Sequence, residues 1–206
     1  MVWRHGVARA ARLAGGRRVG SAASRLLRRL NAAGQLDWSV GVVDGSHIRA
    51  RRGGPLTGPS PVDRARIGSK HHLIVDLHGV PLGVALTGGN RNDVTQLLPL
   101  VDGIGAIAGK RGRPRQRPDR VIADRGYDHD KYRRELWRRG VKPTIARRQS
   151  GHGSGLGKRR WVVERTFAWL HNFRRLRTRY ERLAEIHQAF ISLACAVICQ
   201  RYLRAL

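Results

Sequence analysis

The sequence predicts an α/β fold in which a mixed sheet is covered by helices. Three observations carry that expectation. Short apolar runs come first in hairpin order and then alternate with helical patterns, which builds a sheet from both antiparallel and parallel neighbours. Two of those runs contain or end on an aspartate, Asp44 and Asp124. A long amphipathic stretch near the C-terminus has one continuous apolar side, which must lie on something.

Taken in order, the first 36 residues differ in texture from the rest. They are rich in Ala, Arg and Gly and carry no acid before Asp37. One weak helical stretch lies near residues 24–33, so residues 1–36 read as an irregular or weakly helical segment and residues 37–206 as one α/β domain. Residues 40–48 form the first strand, and RARRGGPLTGPSPVDRARIGSK after it is a Gly/Pro/Arg loop. Residues 72–77 and 82–87 are strands joined at His78-Gly79, a hairpin signal. Residues 93–104 suit a helix capped by Asn92 or Asp93. The basic loop KRGRPRQRP leads to a strand at residues 120–124. A helix over 128–139, with Asp128 as its simplest cap, and a strand over 142–146 follow. Beyond the glycine-rich link SGHGSGLGK, two helices occupy about 159–179 and 184–203.

Charge narrows the partner. Lys and Arg number 41 against 14 acids, a net +27, and all but five of the cations are arginine. Neutralising phosphates with release of counterions would drive binding to a polyphosphate. Codon usage in a GC-rich genome accounts for arginine over lysine but not for the scarcity of acids. Cys195 and Cys199 stand four apart on one helix face, where they cannot readily bridge each other, and read as buried reduced thiols. Zinc would need two more ligands. No apolar stretch is expected to reach transmembrane length, and the Arg-rich N-terminus lacks the apolar core of a secretory signal. The expectation is a cytoplasmic protein, nucleoid-associated when bound to DNA, with no membrane partner.

Against that basic background three carboxylates stand out: Asp44 in VGVVDGSHIRA, Asp124 in RVIADRGYD and Glu164 in RRWVVERTFAWL. Glu164 is the only acid between Glu135 and Glu181, a span with thirteen Lys or Arg. At a helical period Arg160, Ala168, His171 and Arg175 share its side. Val162, Val163, Phe167, Trp169, Leu170, Phe173 and Leu176 form the opposite, buried side. The plain alternative is a solvated Arg160–Glu164 pair. Active residues of open α/β sheets gather beyond strand ends, so the two aspartates can face one crevice. Three such acids on a basic chain suit divalent metal held against a nucleic-acid phosphate, where two ions roughly 3.5–4 Å apart support in-line displacement. Hard oxygen ligands suit Mg²⁺ or Mn²⁺.

The segments VVDGSHIRA, GSKHHLIVDLHGVPLGVALTGGNRNDV, VIADRGYD and RRWVVERTFAWLHNFRRLRTRYE resemble bacterial insertion-sequence transposases of the DDE class, closest to the insertion-sequence-five family. The resemblance runs from about Asp37 to the C-terminus. It implies a ribonuclease H-like fold, with Mg²⁺-dependent cleavage at transposon ends and transfer of the freed 3′ hydroxyl into target DNA. It implies Asp44, Asp124 and Glu164 as the catalytic, metal-binding triad, with Mn²⁺ substituting for Mg²⁺. Arg160 matches the arginine of the family's last motif. Gly157 stands at its tyrosine and His171 at its lysine, with Arg174 and Arg175 nearby. Arg160, His171, Arg174 and Arg175 are therefore the expected DNA-binding residues. Trp161 could stack on an unpaired base, though packing explains it as well.

Other acids have simpler expected roles. Asp93 is explained by helix capping, and Asp76 and Asp119 are expected to face solvent. The link SGHGSGLGKRR departs from a phosphate-binding loop at His152 and Arg159, so ATP binding is not expected. Family members carry an N-terminal helical region that reads the transposon ends. On this reading residues 1–36 would be upstream or out-of-frame translation, and the chain the second half of a split or truncated transposase. It would act as a homo-oligomer on DNA with an upstream-frame recognition half. The alternatives are a basic nucleic-acid-binding protein without catalysis, or a metal-dependent nuclease or Holliday-junction resolvase of the same fold.

Overall fold

The computed structural model describes residues 20–148 and 157–204. Residues 1–19 and the greater part of the glycine-rich link, His152 included, lie outside the described residues. In chain order the elements are α1 (Ser21–Ala32), β1 (Val40–Ala50), β2 (Gly58–Pro59), β3 (Ile67–Val75) and β4 (Pro81–Gly88). A 3-10 turn, Asp93–Gln96, then leads into α2 (Leu97–Asp102). After it come β5 (Arg120–Ala123), α3 (Asp130–Arg138), β6 (Lys142–Ile145) and α4 (Gly157–His171). The chain closes with α5 (Arg174–Arg177), β7 (Thr178–Arg179) and α6 (Ala184–Arg204).

The sheet is mixed, as expected. Its five longer strands lie in the order β4-β3-β1-β5-β6. β3 runs antiparallel to both β1 and β4, while β5 and β6 continue parallel to β1. Only β3 opposes the others, the arrangement expected of a ribonuclease H-like sheet. β3 and β4 are buried along nearly their whole length; β4 reads as an almost unbroken apolar run, while β3 buries the polar residues Ser69, Lys70, His71 and His72 before its apolar end. Helix α4 lies on β1 and β3, α6 packs on β4 and α1, and α3 packs on β6.

The hairpin falls where His78-Gly79 put it. Gly79 takes φ +86, which a side chain would resist, and its N–H donates to the Asp76 carbonyl at 3.0 Å. Asp76 itself corrects an expectation. It is fully buried, because its carboxylate closes this turn by accepting from the N–H groups of Asp37, His78 and Val80 at 3.1, 3.0 and 2.8 Å. Those partners come from two chain segments, and only folding brings the first of them there.

Four further expectations change. The strand read as starting at residue 72 begins at Ile67, and the helix over 93–104 opens as a 3-10 turn capped by Asn92, whose side chain accepts from Val94 N–H. Asp128 caps no helix; it pairs with Arg133 at 2.6 Å and accepts from Arg148 N–H at 2.9 Å. The helix expected over 159–179 stops at His171. After one more turn, Thr178 and Arg179 pair with Arg49 and Ala50 as β7, because the far end of β1 offers an unpaired edge. Buried Arg179 anchors that strand through the carbonyls of Pro55, Glu181 and Arg182.

The described part of the N-terminal segment, residues 20–36, holds a helix packed on the core. Helix α1 buries Ala23, Leu27 and Leu30, and Asn31 donates to the Ala108 carbonyl at 3.1 Å. Out-of-frame translation gives no reason for three apolar residues at helical spacing to meet the core, so residues 21–32 are folded protein. Finally, α6 is as long and apolar as a membrane span, with 21 residues and a mean hydropathy of 1.2, contrary to the expectation of none. It is a core helix: Ala184, His187, Ile191, Ala194, Cys195 and Ile198 are among its buried positions.

Candidate active site

Two parallel strands bring the aspartates together. The β1–β5 ladder ends at Val42–Ile122. Asp44 lies two residues further along β1 and Asp124 two residues beyond Ile122, just past β5, so continuing the register brings the two carboxylates side by side, close enough for the Asp124 charge to act on Asp44. Asp44 lies within β1, and its Oδ1 accepts from Gly45 N–H at 2.8 Å. Asp124 stands just past β5 and caps the short 3-10 turn Arg125–Tyr127, accepting from Gly126 N–H at 2.8 Å. Burial pushes the Asp44 carboxyl above its ordinary value. The Gly45 N–H and the Arg160 guanidinium oppose that shift, and the Asp124 charge adds to it.

Arg160 reaches this pair from α4. Its Nη2 donates to Asp44 Oδ2 at 3.2 Å, with both side chains mostly buried. The arginine therefore bonds across 116 residues rather than to Glu164 one turn away, which removes the plain reading of a local helix pair. Glu164 lies exposed on the same side of α4. It does not complete a three-carboxylate cluster: among the described residues no three His, Cys, Asp or Glu side chains stand together closely enough to hold a metal. The adjacent hard oxygens of Asp44 and Asp124 do suit a divalent cation, and the Arg160 guanidinium supplies positive charge at that point.

Two further residues lie beside these carboxylates, Asp93, which the sequence offered as a helix cap, and Tyr127, which sequence reasoning passed over. Asp93 does not cap a helix; its carboxylate pairs with Lys70 Nζ at 2.9 Å and stands 3.8 Å from His72 Nδ1. A Cβ placed on Gly45 would come within 3.1 Å of Asp93 Oδ1, so Asp93 sits beside the residue that follows Asp44. Tyr127 is buried, and among the described residues its hydroxyl has no hydrogen-bond partner. Burial first, then the charges of Asp44, Asp93 and Asp124, push its pKa well above the ordinary value, which marks it as neighbour to all three. The available signal was spacing, since a 3-10 turn returns position i+3 above position i.

The other expected DNA-binding residues lie elsewhere. His171 is half-buried, 5.8 Å from the His71 ring and 6.0 Å from Phe167, and burial lowers its pKa. Arg174 and Arg175 line a separate cavity beyond the end of β1. Arg175 donates to Glu181 at 2.7 Å, and Glu181 accepts from His187 Nδ1 at 3.0 Å. His187 Nε2 in turn lies 2.9 Å from His71 Nε2, a hydrogen bond between two rings whose pKa values burial lowers. Trp161 is half-exposed, with the Arg165 guanidinium 4.5 Å from its ring centre and 4.8 Å from that of Trp169.

Comparison with known proteins gives the family of the chain. Residues 36–199 match the family described as transposase DDE domain. The chain is 56% identical to the transposase assigned to insertion sequence element IS402 of Burkholderia cepacia, over 199 residues covering 96% of this chain and 94% of that one. It is 29% identical to the transposase assigned to element IS6501 of Brucella ovis, over 65% of this chain and 98% of that one. Among solved structures, one similar chain belongs to the simian T-cell lymphotropic virus intasome in complex with PP2A regulatory subunit B56 gamma. That match has a TM-score of 0.47 and 15% identity, and covers 78% of this chain and 48% of the other.

Proposed function

The chain belongs to the DDE transposase family, and on that premise we propose that Asp44 and Asp124, completed by Glu164, carry its metal-dependent phosphoryl transfer at the ends of an insertion sequence. The observation that supports this reading is the parallel β1–β5 pairing, which, continued past the end of β5, brings Asp44 and Asp124 side by side. The family works with divalent metal, and Mg²⁺, replaceable by Mn²⁺, is the ion proposed here. When bound, it would activate the attacking oxygen and stabilise the departing 3′ oxygen.

The chain's own residues do the rest. Asp44 and Asp124 would hold the metal through their hard oxygens, and Glu164 would complete the set from α4. Arg160 orients Asp44 through the 3.2 Å bond and opposes the upward shift that burial gives its carboxyl, and its guanidinium would contact the phosphate beside it when DNA is bound. Lys70 keeps Asp93 anchored at 2.9 Å, so that the third aspartate stays out of the ligand set. Partners on this reading are the element's ends and the target duplex. A homo-oligomer holds two ends together, and an upstream-frame segment contributes end recognition.

The experiment is nicking and strand joining on DNA carrying the element's own ends, with Mg²⁺ or Mn²⁺, for the wild type, Asp124→Asn and Glu164→Gln. Metal-dependent products that vanish in both variants are expected. Undiminished products from either variant would remove that residue from the triad.

A further inference from the structure

A cavity of about 800 Å³ lies away from the aspartates. It opens where β1, β7 and the start of α6 meet, and Arg52, Arg174, Arg175 and Arg182 line it. Arg175 is held by Glu181, while among the described residues no carboxylate pairs with Arg52, Arg174 or Arg182. Three unpaired guanidinium groups around one concavity raise a positive potential that only an anion relieves. Tyr180 and Ile186 add half-exposed apolar surface, and Phe190 lies 5.7 Å under the Arg175 guanidinium. Phosphate-binding cations over an apolar floor are the chemistry of a nucleic-acid strand.

Two paths through the fold place this cavity relative to the aspartates. From Asp44 to Ala50 β1 advances six residues, about 20 Å at strand rise. From Arg160 at Asp44 to Arg174 the chain runs fourteen residues, mostly along α4, about 21 Å at helical rise. Both paths run the same way, since α4 lies on β1, and β7 beyond it pairs parallel with the end of β1. At about 3.4 Å per nucleotide of duplex, that distance is about six nucleotides.

We propose that this arginine cavity is a second phosphodiester-binding site, which holds the DNA strand about six nucleotides from the phosphate at Asp44 and Asp124. The Arg175–Glu181–His187–His71 chain fixes one arginine in advance and leaves the other three free to close on phosphates. The inference rests on the transposase reading for the position of the reacting phosphate, but the cavity's affinity for DNA does not.

The test measures binding without chemistry. Fluorescence anisotropy in EDTA follows a labelled duplex carrying the element's end, across a range of salt, with the full chain. Arg52→Gln/Arg182→Gln should weaken binding on the order of tenfold near physiological salt and flatten the log–log salt slope by about two. Arg25→Gln/Arg29→Gln, which removes equal charge from exposed positions of α1, should do much less. Leu183→Glu, at an exposed rim position, should mimic the cavity variant without removing an arginine. Equal losses from the two arginine pairs would show a net-charge effect and overturn the proposal, as would a Leu183→Glu protein that binds like wild type. Phosphate-ethylation interference about six nucleotides from the reacting phosphate is expected in the wild type and absent in the cavity variant. Loss of cleavage with intact interference at that distance would sink the catalytic reading and leave this one standing.

Discussion

Arg160→Gln tests whether an arginine stands in for cationic charge at the aspartates. At 3.2 Å and an effective dielectric constant near 20, the Arg160–Asp44 pair gains about 5 kcal/mol of Coulomb energy before desolvation. The side chains keep 24% and 20% of their exposure, so water screens part of the gain and the partly buried partners lose hydration. The net effect of removing the arginine should fall between the surface and buried limits, about 1–3 kcal/mol. The loss arises because Asp44 is left beside Asp124 without its counter-charge. Urea denaturation in EDTA should show the variant less stable by that amount. Saturating Mn²⁺ should then close most of the gap, since the ion no longer competes with a guanidinium for Asp44; about 2.7 kcal/mol is available at a hundredfold excess over Kd. Equal stability in EDTA, or a gap that metal leaves unchanged, would refute the reasoning.

Three other outcomes follow from named residues. Leu27→Ala, at a fully buried position of α1, should cost about 2–5 kcal/mol in urea denaturation, and a change under 1 kcal/mol would show that α1 is not part of the core. Burial pushes the His72 pKa down to about 4 from 6.5, so the unfolded chain binds the extra proton between those values and stability falls on acidification from pH 6.5 to about 4. The shift corresponds to about 3 kcal/mol. Asp76, whose burial pushes it up to about 6, works in the opposite sense between 3.8 and 6, so the informative quantity is the difference between wild type and His72→Gln in urea midpoints against pH. If the two profiles run parallel, His72 is not the titrating group. Cys195 and Cys199 are free and buried, and burial pushes the Cys199 thiol up to about 12 and Cys195 higher still. Iodoacetamide at pH 8 should label neither in the native protein and both in denaturant; native labelling would contradict the packing of α6.

Much of the fold was legible because it is local. Alternation and apolar runs located the hairpin of β3 and β4, the strand β5 and the buried side of α4, where Val162, Val163, Phe167 and Leu170 all face the core. These patterns repeat over two to four residues, which is the range over which a sequence carries its own structural signal. The aspartates were legible for the same reason, since each sits in or just past a strand whose apolar run is evident.

By itself, then, the sequence determined the strands, the amphipathic face of α4, the basic character of the chain and the identity of the candidate acids. Only the tertiary structure decided the rest. It brought Asp44 and Asp124 side by side, gave Arg160 to Asp44 instead of Glu164, buried Asp76 under three N–H donors, and turned residues 178–179 from helix to strand. It also gathered Arg52 with Arg174, Arg175 and Arg182 around one cavity. Each of these depends on partners that lie far apart along the chain, 116 residues in the case of Arg160 and Asp44. No periodicity encodes such a meeting; it comes from the ladder register and from packing α4 across β1, which bring remote segments to one place and let their charges choose partners there.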